Sequence, residues 1–573
     1  MKKTLKDLAS IVLVLCGSLT FCAKHYAPQR EVERFHNVIV LIPDGCGVAH
    51  MAIARWFKGA PLAQDSMDVS FVRTFCANSM ITGSAAAATA FATGFKTWED
   101  SEKAKCLSVC PDSLLLPQAQ EFPVSEQWRP VATVLEGARL AGKAVGLVAT
   151  CRVSHATPAA YASHWHSRDN NSLLIEQMVY GDIDVVFGGG FRYLVDAHAQ
   201  VPGSSSKGGR RDGENLYQVL RSNGYTVVTD REGLNTLEPN ARKVWGMFAD
   251  NHMVHDIDRS KLAPDEPSLA EMTEKGIEIL SKDTDGFFLM VEGSQVDWSS
   301  HDNDPVGVVT DYIAFDQAVR VALDFAKSHP EQRTLVLIFP DHDNGGMSLG
   351  RRDMNSYAFR PEDMKSAIEN ASLTADGVEV LIWNSARNVG PNADSIEHVV
   401  AQYYGIADLT DEETEAILRE LADTVDVNLR TVIGPMLSER AGIGWTTFDH
   451  TGNDVPLFSY GLSRVPQTLD NTEIAHLCAH AMGFDLSDVN DRLIVDAGEL
   501  FDDATLMIDT SGVEMSKGHL IVEKDEKKAV FPFFKNVMIV GQDTVALEGL
   551  TLYSLKSHRV FLPRQVKSFF AAY

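Results

Sequence analysis

The feature that most constrains the fold is an alternation of short apolar runs with longer helical patterns. Five runs have the β-branched composition and the polar or glycine ends of buried strands: Asn37–Ile42, Ala144–Thr150, Asp184–Phe187, Phe287–Val291 and Thr334–Phe339. Helical patterns lie between them: Val131–Ala141, Leu269–Leu280 and Thr310–Lys327. This order predicts an α/β fold, a doubly wound and mostly parallel sheet with helices on both faces.

Two further regions differ in character from this main pattern. The chain of 573 residues fits one large domain with an appendage. We interpret residues 30–488 as the main domain, with an acidic, helix-prone insertion at about 350–443. Residues 489–573 have short alternating apolar runs broken by Gly, Asp and Lys, which predicts a small all-β C-terminal domain.

The composition and net charge of the chain limit the kinds of molecule it can bind. The hydrophobic fraction of 45% allows a sizeable core, and the net charge is -27. A chain this acidic repels the phosphate backbone, so we expect no nucleic acid as a specific partner.

The first residues have the pattern of an export signal. Three lysines precede an apolar run, Leu8–Cys22, that is too short to span a bilayer. Residues 1–23 therefore predict a signal peptide or lipoprotein leader, with a periplasmic or cell-surface location. Two readings stay open, a lipid anchor at Cys22 on an outer-membrane lipoprotein, or simple cleavage nearby, because Phe21 is bulky for a lipobox.

Export also permits disulfides among the remaining cysteines. Cys106 and Cys110 are close enough in sequence to bridge. The pairing of the other cysteines cannot be deduced from their spacing.

Acidic side chains follow several of the predicted strands. Asp44 follows the first strand and precedes Gly45, Glu292 follows the fourth, and Asp341 follows the fifth. Ligands of doubly wound sheets collect at the carboxyl ends of the strands, so these carboxylates are placed to meet a cation. Any one of them alone is more often an ordinary turn residue.

Histidines near these acids add nitrogen donors. Asp297 and His301 are four residues apart and share one face if the segment is helical. Asp with His suits zinc, whereas Glu292 suits a harder cation such as magnesium. His342 and His450 are unremarkable when each is taken alone.

A serine and an arginine are candidates for binding an anion. Ser84 precedes the alanine run Ala85–Ala88, which predicts a helix that Ser84 caps and Gly94 ends. Free N–H groups at a helix N-terminus favour an anionic group. Arg168 has the fork geometry that grips phosphate through two parallel hydrogen bonds. A capping serine and a surface arginine are also common structural features.

Taken together, these segments resemble the alkaline phosphatase family over residues 35–485. The resemblance is carried by seven segments in the family's order: Asp44-Gly45, Gly83-Ser84-Ala85-Ala86, His155-Ala156-Thr157-Pro158 with Arg168, Phe187-Gly188-Gly189-Gly190, Glu292-Gly293 with Asp297 and His301, Asp341-His342, and His450-Thr451-Gly452.

The resemblance implies hydrolysis of phosphate monoesters at alkaline pH through a phosphoserine on Ser84, with two zinc ions and one magnesium ion. By position it implies these roles: Asp297, His301 and His450 for the first zinc; Asp44, Asp341, His342 and the Ser84 oxygen for the second; Asp44, Thr157 and Glu292 for magnesium; Arg168 for phosphate. His155 borders the third site and either shifts it toward zinc or reaches it through water. Homodimers are common among relatives.

One departure from the family pattern concerns the nucleophile segment. Gly83 stands where an Asp often precedes the serine and orients the arginine. We therefore expect a more mobile Arg168 and weaker phosphate binding, which an Asp at position 83 would reverse.

Two rival functions remain at this point. A phosphodiesterase or a sulfatase would use the same fold, but the Ser84 segment lacks the Pro and Arg of sulfatases, and diesterases usually use Thr. A secreted binding protein that lost catalysis is the other rival. The complete set of proposed ligands argues against it.

Overall fold

The computed structural model describes residues 33–100, 104–110, 127–352, 354–390, 392–422, 427–464, 467–511 and 515–572. The predicted leader and its Cys22 lie outside these ranges. Within them, no helix has both the length and the hydropathy that a membrane crossing requires.

The strands are β1 Asn37–Pro43, β2 Asp68–Arg73, β3 Glu99–Asp100, β4 Ala104–Lys105, β5 Ala144–Arg152, β6 Val185–Gly189, β7 Thr226–Val228, β8 Val244–Ala249, β9 Phe287–Gly293, β10 Thr334–Ile338, β11 Asp343–Asn344, β12 Ser348–Leu349, β13 Ile443–Gly444, β14 His450–Thr451, β15 Val455–Tyr460, β16 Leu469–Asp470, β17 Val495–Asp496, β18 Thr505–Asp509, β19 His519–Lys524, β20 Lys527–Pro532, β21 Val537–Val540, β22 Asp543–Ala546, β23 Leu552–Ser554 and β24 Arg559–Leu562.

The α-helices are α1 Val48–Lys58, α2 Ser84–Thr93, α3 Val134–Leu140, α4 Ala156–Ala160, α5 Asn171–Tyr180, α6 Leu216–Ser222, α7 Arg231–Asn235, α8 Asp256–Leu262, α9 Leu269–Leu280, α10 Gln295–His301, α11 Pro305–Ser328, α12 Pro361–Ile368, α13 Ala375–Val389, α14 Ala393–Val399, α15 Asp411–Ala422, α16 Arg430–Arg440, α17 Asn471–Met482, α18 Leu486–Leu493, α19 Ala497–Leu500 and α20 Val566–Ala572.

The largest sheet among the described residues has ten strands in the order β16-β2-β15-β10-β1-β9-β5-β6-β8-β7. Strand β15 runs antiparallel to its neighbours β10 and β2, whereas the pairs from β10 to β7 are parallel. The mostly parallel sheet is therefore confirmed, and the five predicted strands are its contiguous centre. The pattern missed the other five strands, β2, β7, β8, β15 and β16. Among them, β15 contains Pro456, and β7 is short and partly exposed.

Both faces of this sheet are covered, as expected for a doubly wound fold. Alternate side chains of β1 enter two different cores. Val38 and Val40 pack in the core that includes Phe91 of α2. Ile39 lies in the core on the opposite face, with Phe315 of α11.

Two predicted helices begin at other residues than the pattern suggested, and capping explains both. Helix α3 begins at Val134 because Thr133 is its N-cap and forms a capping box with Glu136. Helix α11 begins at Pro305, since Asp304 caps it and proline fits the first helical turn. Helix α9 has the predicted bounds.

The predicted insertion and appendage are both present as secondary structure. Helices α12 to α16 lie between β12 and β13 and share a separate apolar core. Strands β18 to β22 form a five-stranded antiparallel sheet near the C-terminus. This part also contains α19 and α20, so it is mainly rather than wholly β. Phe531 and Phe561 belong to the same buried core as Val38, so it packs on the main sheet.

Candidate active site

Three adjacent central strands, β10, β1 and β9, deliver the predicted acids to one edge of the sheet. Strand β1 lies between β10 and β9, and Ile42 pairs with Glu292. Strand β5 follows on the other side of β9, with Ala149 opposite Glu292. Asp44 and Asp341 come just after β1 and β10, so the structure brings together the carboxylates that the sequence placed at strand ends.

The turn at Asp44-Gly45 requires glycine. Gly45 has φ +67, and a Cβ atom there would lie 2.4 Å from Asp297 Oδ1. Its N–H donates to Asp341 Oδ1 at 3.0 Å. The missing side chain therefore lets the end of β1 contact both the Asp341 segment and helix α10.

Asp297, His301 and His450 form the first donor set. His301 Nε2 lies 3.5 Å from Asp297 Oδ2 and 3.2 Å from His450 Nε2, and His450 Nε2 lies 3.7 Å from Asp297 Oδ1. Tetrahedral zinc at its usual bond lengths separates its ligands by about 3.3 Å. The spacing of these three donors therefore fits zinc.

Backbone carbonyls orient the two imidazoles of this set. His301 Nδ1 lies 2.5 Å from Phe448 O, and His450 Nδ1 lies 2.8 Å from Thr82 O. A proton on each Nδ1 leaves Nε2 as the ligand atom. Burial lowers the pKa of His450 to about 4, which keeps that ring neutral and able to bind a cation.

The second donor set includes the predicted nucleophile. His342 Nε2 lies 3.0 Å from Asp341 Oδ2, 3.6 Å from Asp44 Oδ1 and 3.3 Å from Ser84 Oγ. All four residues are buried. A cation at the centre of this set would therefore contact the serine oxygen directly.

Ser84 is not the helix cap that its sequence suggested. Gly83 is the N-cap of α2 in extended conformation, and Ser84 is the first helical residue. Its hydroxyl makes no capping hydrogen bond and instead faces His342. Gly94 ends the helix in the left-handed conformation, as predicted.

A third donor set lies beside Glu292 and contains a residue that the sequence pattern missed. One donor atom each of Cys151, His155 and Glu292 lies within 4.8 Å of the others. Cys151 Sγ lies 3.2 Å from Glu292 Oε2. Thr157, predicted here with them, is fully buried on α4. No metal-type spacing in the sequence marked Cys151, which only the pairing of β5 with β9 brings to Glu292.

Buried carboxylates give these three donor sets an electrostatic environment that favours bound cations. Burial and then the charges of Asp341 and Asp297 raise the pKa of Asp44 well above its ordinary value. Burial raises the pKa of Glu292 to about 7. Both carboxylate oxygens of Asp44 and Glu292 Oε1 are buried without a hydrogen-bond partner. Such atoms are costly unless a ligand contacts them, so the donor sets fit divalent metal ions.

A further acidic group elsewhere does not fit a metal. Glu176, Asp212 and Glu214 cluster in the same way, but they surround the fully buried Arg210. Arg210 Nη2 lies 2.9 Å from Glu176 Oε2 and also contacts Asp212. The guanidinium already supplies the positive charge at that place.

Arg168 lies beside the third set. Its Nη2 is 2.7 Å from His155 Nε2, and its side chain is half-buried. The His155 ring in turn contacts the edge of Trp298, with ring centroids 5.9 Å apart. Arg168 therefore lies at the edge of the site. A bound anion could replace His155 as the hydrogen-bond acceptor of its guanidinium.

The space left by Gly83 is occupied. A Cβ atom at Gly83 would lie 2.5 Å from Glu99 Cδ. A carboxylate from another segment therefore fills the place of the side chain that Gly83 lacks. The mobility of Arg168 expected from Gly83 stays a prediction, and Glu99 now enters its test.

We expect Gly83→Asp to tighten inhibition by phosphate strongly only when Glu99 is also removed. In the single variant the new side chain must displace the Glu99 carboxylate, and two like charges would compete for the same space. The double variant Gly83→Asp/Glu99→Ala should lower the inhibition constant of phosphate roughly tenfold, the effect of one charge-assisted hydrogen bond to Arg168. Glu99→Ala alone is the control, and unchanged inhibition in the double variant would refute this account.

Donor sets of this chemistry around a buried serine and an arginine, on an α/β sheet, define a class, the metal-dependent hydrolases of phosphate esters. The family model described as "Alkaline phosphatase" matches residues 35–484. The chain belongs to the alkaline phosphatase family, which is metal-dependent, and it is a phosphomonoesterase.

Individual relatives agree with this assignment. Alkaline phosphatase 3 of Bacillus subtilis (strain 168) is 34% identical over 519 residues, which cover 86% of this chain and 100% of that protein. Alkaline phosphatase of Escherichia coli (strain K12) is 30% identical over 418 residues, covering 64% and 79%. The crystal structure of Thermus thermophilus alkaline phosphatase has a TM-score of 0.68 at 26% identity, covering 82% of this chain and 98% of that one.

Proposed function

We propose that this phosphomonoesterase acts at alkaline pH through a phosphoserine on Ser84, with two zinc ions in the first and second donor sets. A third divalent cation, magnesium by the family resemblance, belongs beside Glu292 and Thr157. The observation that carries the proposal is the position of Ser84 Oγ, 3.3 Å from His342 Nε2 within a four-donor set.

Divalent cations in these sets would lower the pKa of the serine hydroxyl and neutralise charge on the phosphoryl oxygens. Ser84 Oγ then loses its proton to solvent and attacks phosphorus. The Oγ–P bond forms while the bond from phosphorus to the alcohol oxygen breaks, and that oxygen takes up a proton. Water next attacks phosphorus, the Oγ–P bond breaks, and inorganic phosphate leaves with the serine regenerated.

The surroundings of Ser84 support its role as the nucleophile. The residue is 3% exposed, at the first turn of a helix whose N–H groups favour an anion. A serine hydroxyl is a weak nucleophile at neutral pH, so activity rises as the hydroxyl ionises. This supports the alkaline optimum.

Arg168 supports a preference for monoesters over diesters. Its guanidinium offers two parallel donors, which match two non-bridging oxygens of a phosphoryl dianion. A diester carries one negative charge fewer and a bulky group in place of an oxygen. The arginine therefore stabilises a bound monoester more than a bound diester.

We expect p-nitrophenyl phosphate to be hydrolysed in preference to bis-p-nitrophenyl phosphate, and Arg168→Ala to reduce that preference. Loss of hydrogen bonds to a charged group costs about 1.5–3 kcal/mol, so kcat/KM for the monoester should fall roughly 10- to 100-fold. Arg221→Ala, on the remote helix α6, is the matched control. A diester rate above the monoester rate in wild type would replace this proposal with a phosphodiesterase.

We also propose that the protein is exported, with the leader over residues 1–23 removed or lipidated at Cys22. The support is the lysine-rich start and the apolar run in the sequence. Mass spectrometry of the mature N-terminus distinguishes a free new terminus from a diacylglyceryl-cysteine, and an intact Met1 would contradict export.

A further inference from the structure

Cys151 lies against the third donor set. It lies near the end of β5 and is fully buried. Its N–H lies 3.2 Å from the acceptor Ser294 Oγ, and its Sγ lies 3.2 Å from Glu292 Oε2. Since β5 pairs with β9 beside this point, the backbone of Cys151 is fixed next to that of Glu292.

Two buried oxygens at this place are unsatisfied. Glu292 Oε1 and Thr157 Oγ1 make no hydrogen bond of ordinary geometry, and both side chains are fully buried. A buried polar atom without a partner is destabilising. A cation contacting the Glu292 carboxylate would offset that destabilisation.

We propose that Cys151 binds the third divalent cation as a thiolate, together with His155 and Glu292, and that this set selects zinc in place of the magnesium that the family resemblance implies. The inference rests on the metal dependence in the proposed function and adds a ligand that the family resemblance does not assign. Sulfur and imidazole nitrogen are typical zinc ligands, whereas magnesium demands oxygen ligands and retains water.

The geometry agrees with a zinc ion between these groups. With usual zinc–sulfur and zinc–oxygen bonds, a tetrahedral ion separates sulfur from oxygen by about 3.6 Å. The observed distance from Cys151 Sγ to Glu292 Oε2 is 3.2 Å. A small outward movement of either side chain completes the site.

Binding of the cation has a defined proton balance. Without metal the Cys151 thiol donates to Glu292 Oε2 at 3.2 Å. When the sulfur–zinc bond forms, the thiol proton passes to solvent, and no oxidation or reduction occurs.

The occupied site would also affect Arg168. In the structure Arg168 Nη2 lies 2.7 Å from His155 Nε2. Once His155 commits its lone pair to a cation, it no longer accepts from the guanidinium. Arg168 is then released toward the substrate phosphate.

The test is metal analysis and cobalt spectroscopy on full-length protein. Dialysed against equal zinc and magnesium, wild type should retain about three zinc ions per chain, and Cys151→Ser about two zinc ions and one magnesium ion. After chelation and reloading with Co²⁺, wild type should show a thiolate-to-cobalt charge-transfer band in the near ultraviolet. Cys151→Ser should lack the band, whereas Cys478→Ser, which changes a buried thiol outside the three sets, should keep it.

Absence of the band in cobalt-loaded wild type would overturn the proposal, and so would a band that persists in Cys151→Ser. Absence of the band in wild type decides against the proposal even if the variant fails to fold. Neither readout depends on turnover. If wild type hydrolyses p-nitrophenyl phosphate but lacks the band, Cys151 is not a metal ligand and the proposed function stands. If wild type has the band but is inactive, Cys151 is a ligand and the proposed function is wrong.

Discussion

Ser84→Ala should lower kcat for p-nitrophenyl phosphate by at least about 10³-fold, because the reaction loses the oxygen that carries the phosphoryl group. Metal ions could still activate water, so a residual rate above background is expected. The measurement is the steady-state rate at alkaline pH, with zinc and magnesium present. A rate within tenfold of wild type would contradict the role of Ser84.

The fold of this variant should be intact. Alanine is the best helix former, and Ser84 already stands on α2 among alanines. Its hydroxyl contacts His342 Nε2, and the cap of the helix is Gly83, so the substitution leaves the cap in place. Ser163→Ala is the matched control, since Ser163 is another buried serine, which donates to Leu174 O at 2.9 Å. It should keep its activity, and both variants should bind metal.

Removal of the metals should abolish activity and lower the melting temperature. Chelation with EDTA leaves Asp44 and Glu292 as buried acids with unsatisfied oxygens. We expect less than about 1% of the activity to remain, and zinc with magnesium to restore it. Full activity in the metal-free protein, verified by elemental analysis, would contradict the metal-dependent site.

The pH dependence of stability should differ between metal-free and metal-loaded protein. Glu292 should make the metal-free protein less stable as pH rises, whereas stabilisation by bound metal should increase with pH. In the metal-free protein the pKa of Glu292 is raised by burial from 4.5 to about 7, so the folded state holds a proton that the unfolded state has lost. This contribution to stability is present below about pH 4.5 and is lost as pH rises to about 7. In the loaded protein the ligands must be deprotonated, so binding stabilises more as pH rises.

The comparison to make is the difference in melting temperature between loaded and metal-free protein, at steps from pH 5 to 8. Other buried acids, such as Glu266 with a pKa of about 7, contribute equally to both forms and cancel in that difference. The difference should grow with pH. A difference that stays constant or shrinks would show that these carboxyls do not exchange protons for metal.

The sequence predicted the part of the site that follows from strand order. Asp44, Glu292 and Asp341 come at the ends of apolar runs, and parallel pairing brings such ends to one edge of a sheet. Asp297 and His301 are four residues apart on a helix, which places them on one face. His450 had no local pattern, and only the family resemblance identified it. Arg168 was a candidate by its chemistry, and the resemblance gave it a place in the site.

The remaining features depend on packing between distant segments. Cys151 reaches Glu292 through the register of β5 and β9, and Glu99 fills the space beside Gly83 from a separate strand. Neither contact leaves a periodic signal in the sequence. The position of Ser84 inside the helix, rather than at its cap, was missed because Gly83 takes the cap conformation without a capping side chain.

The most direct test of the central claim is to trap the covalent intermediate. Metal-loaded wild type is mixed with a phosphate monoester, quenched in acid within the first turnovers and digested for mass spectrometry, with Ser84→Ala treated in parallel. We expect one added phosphoryl group on Ser84 in wild type and none in the variant. Turnover of the substrate by wild type with no phosphate on Ser84, or with phosphate on another residue, would contradict the central claim.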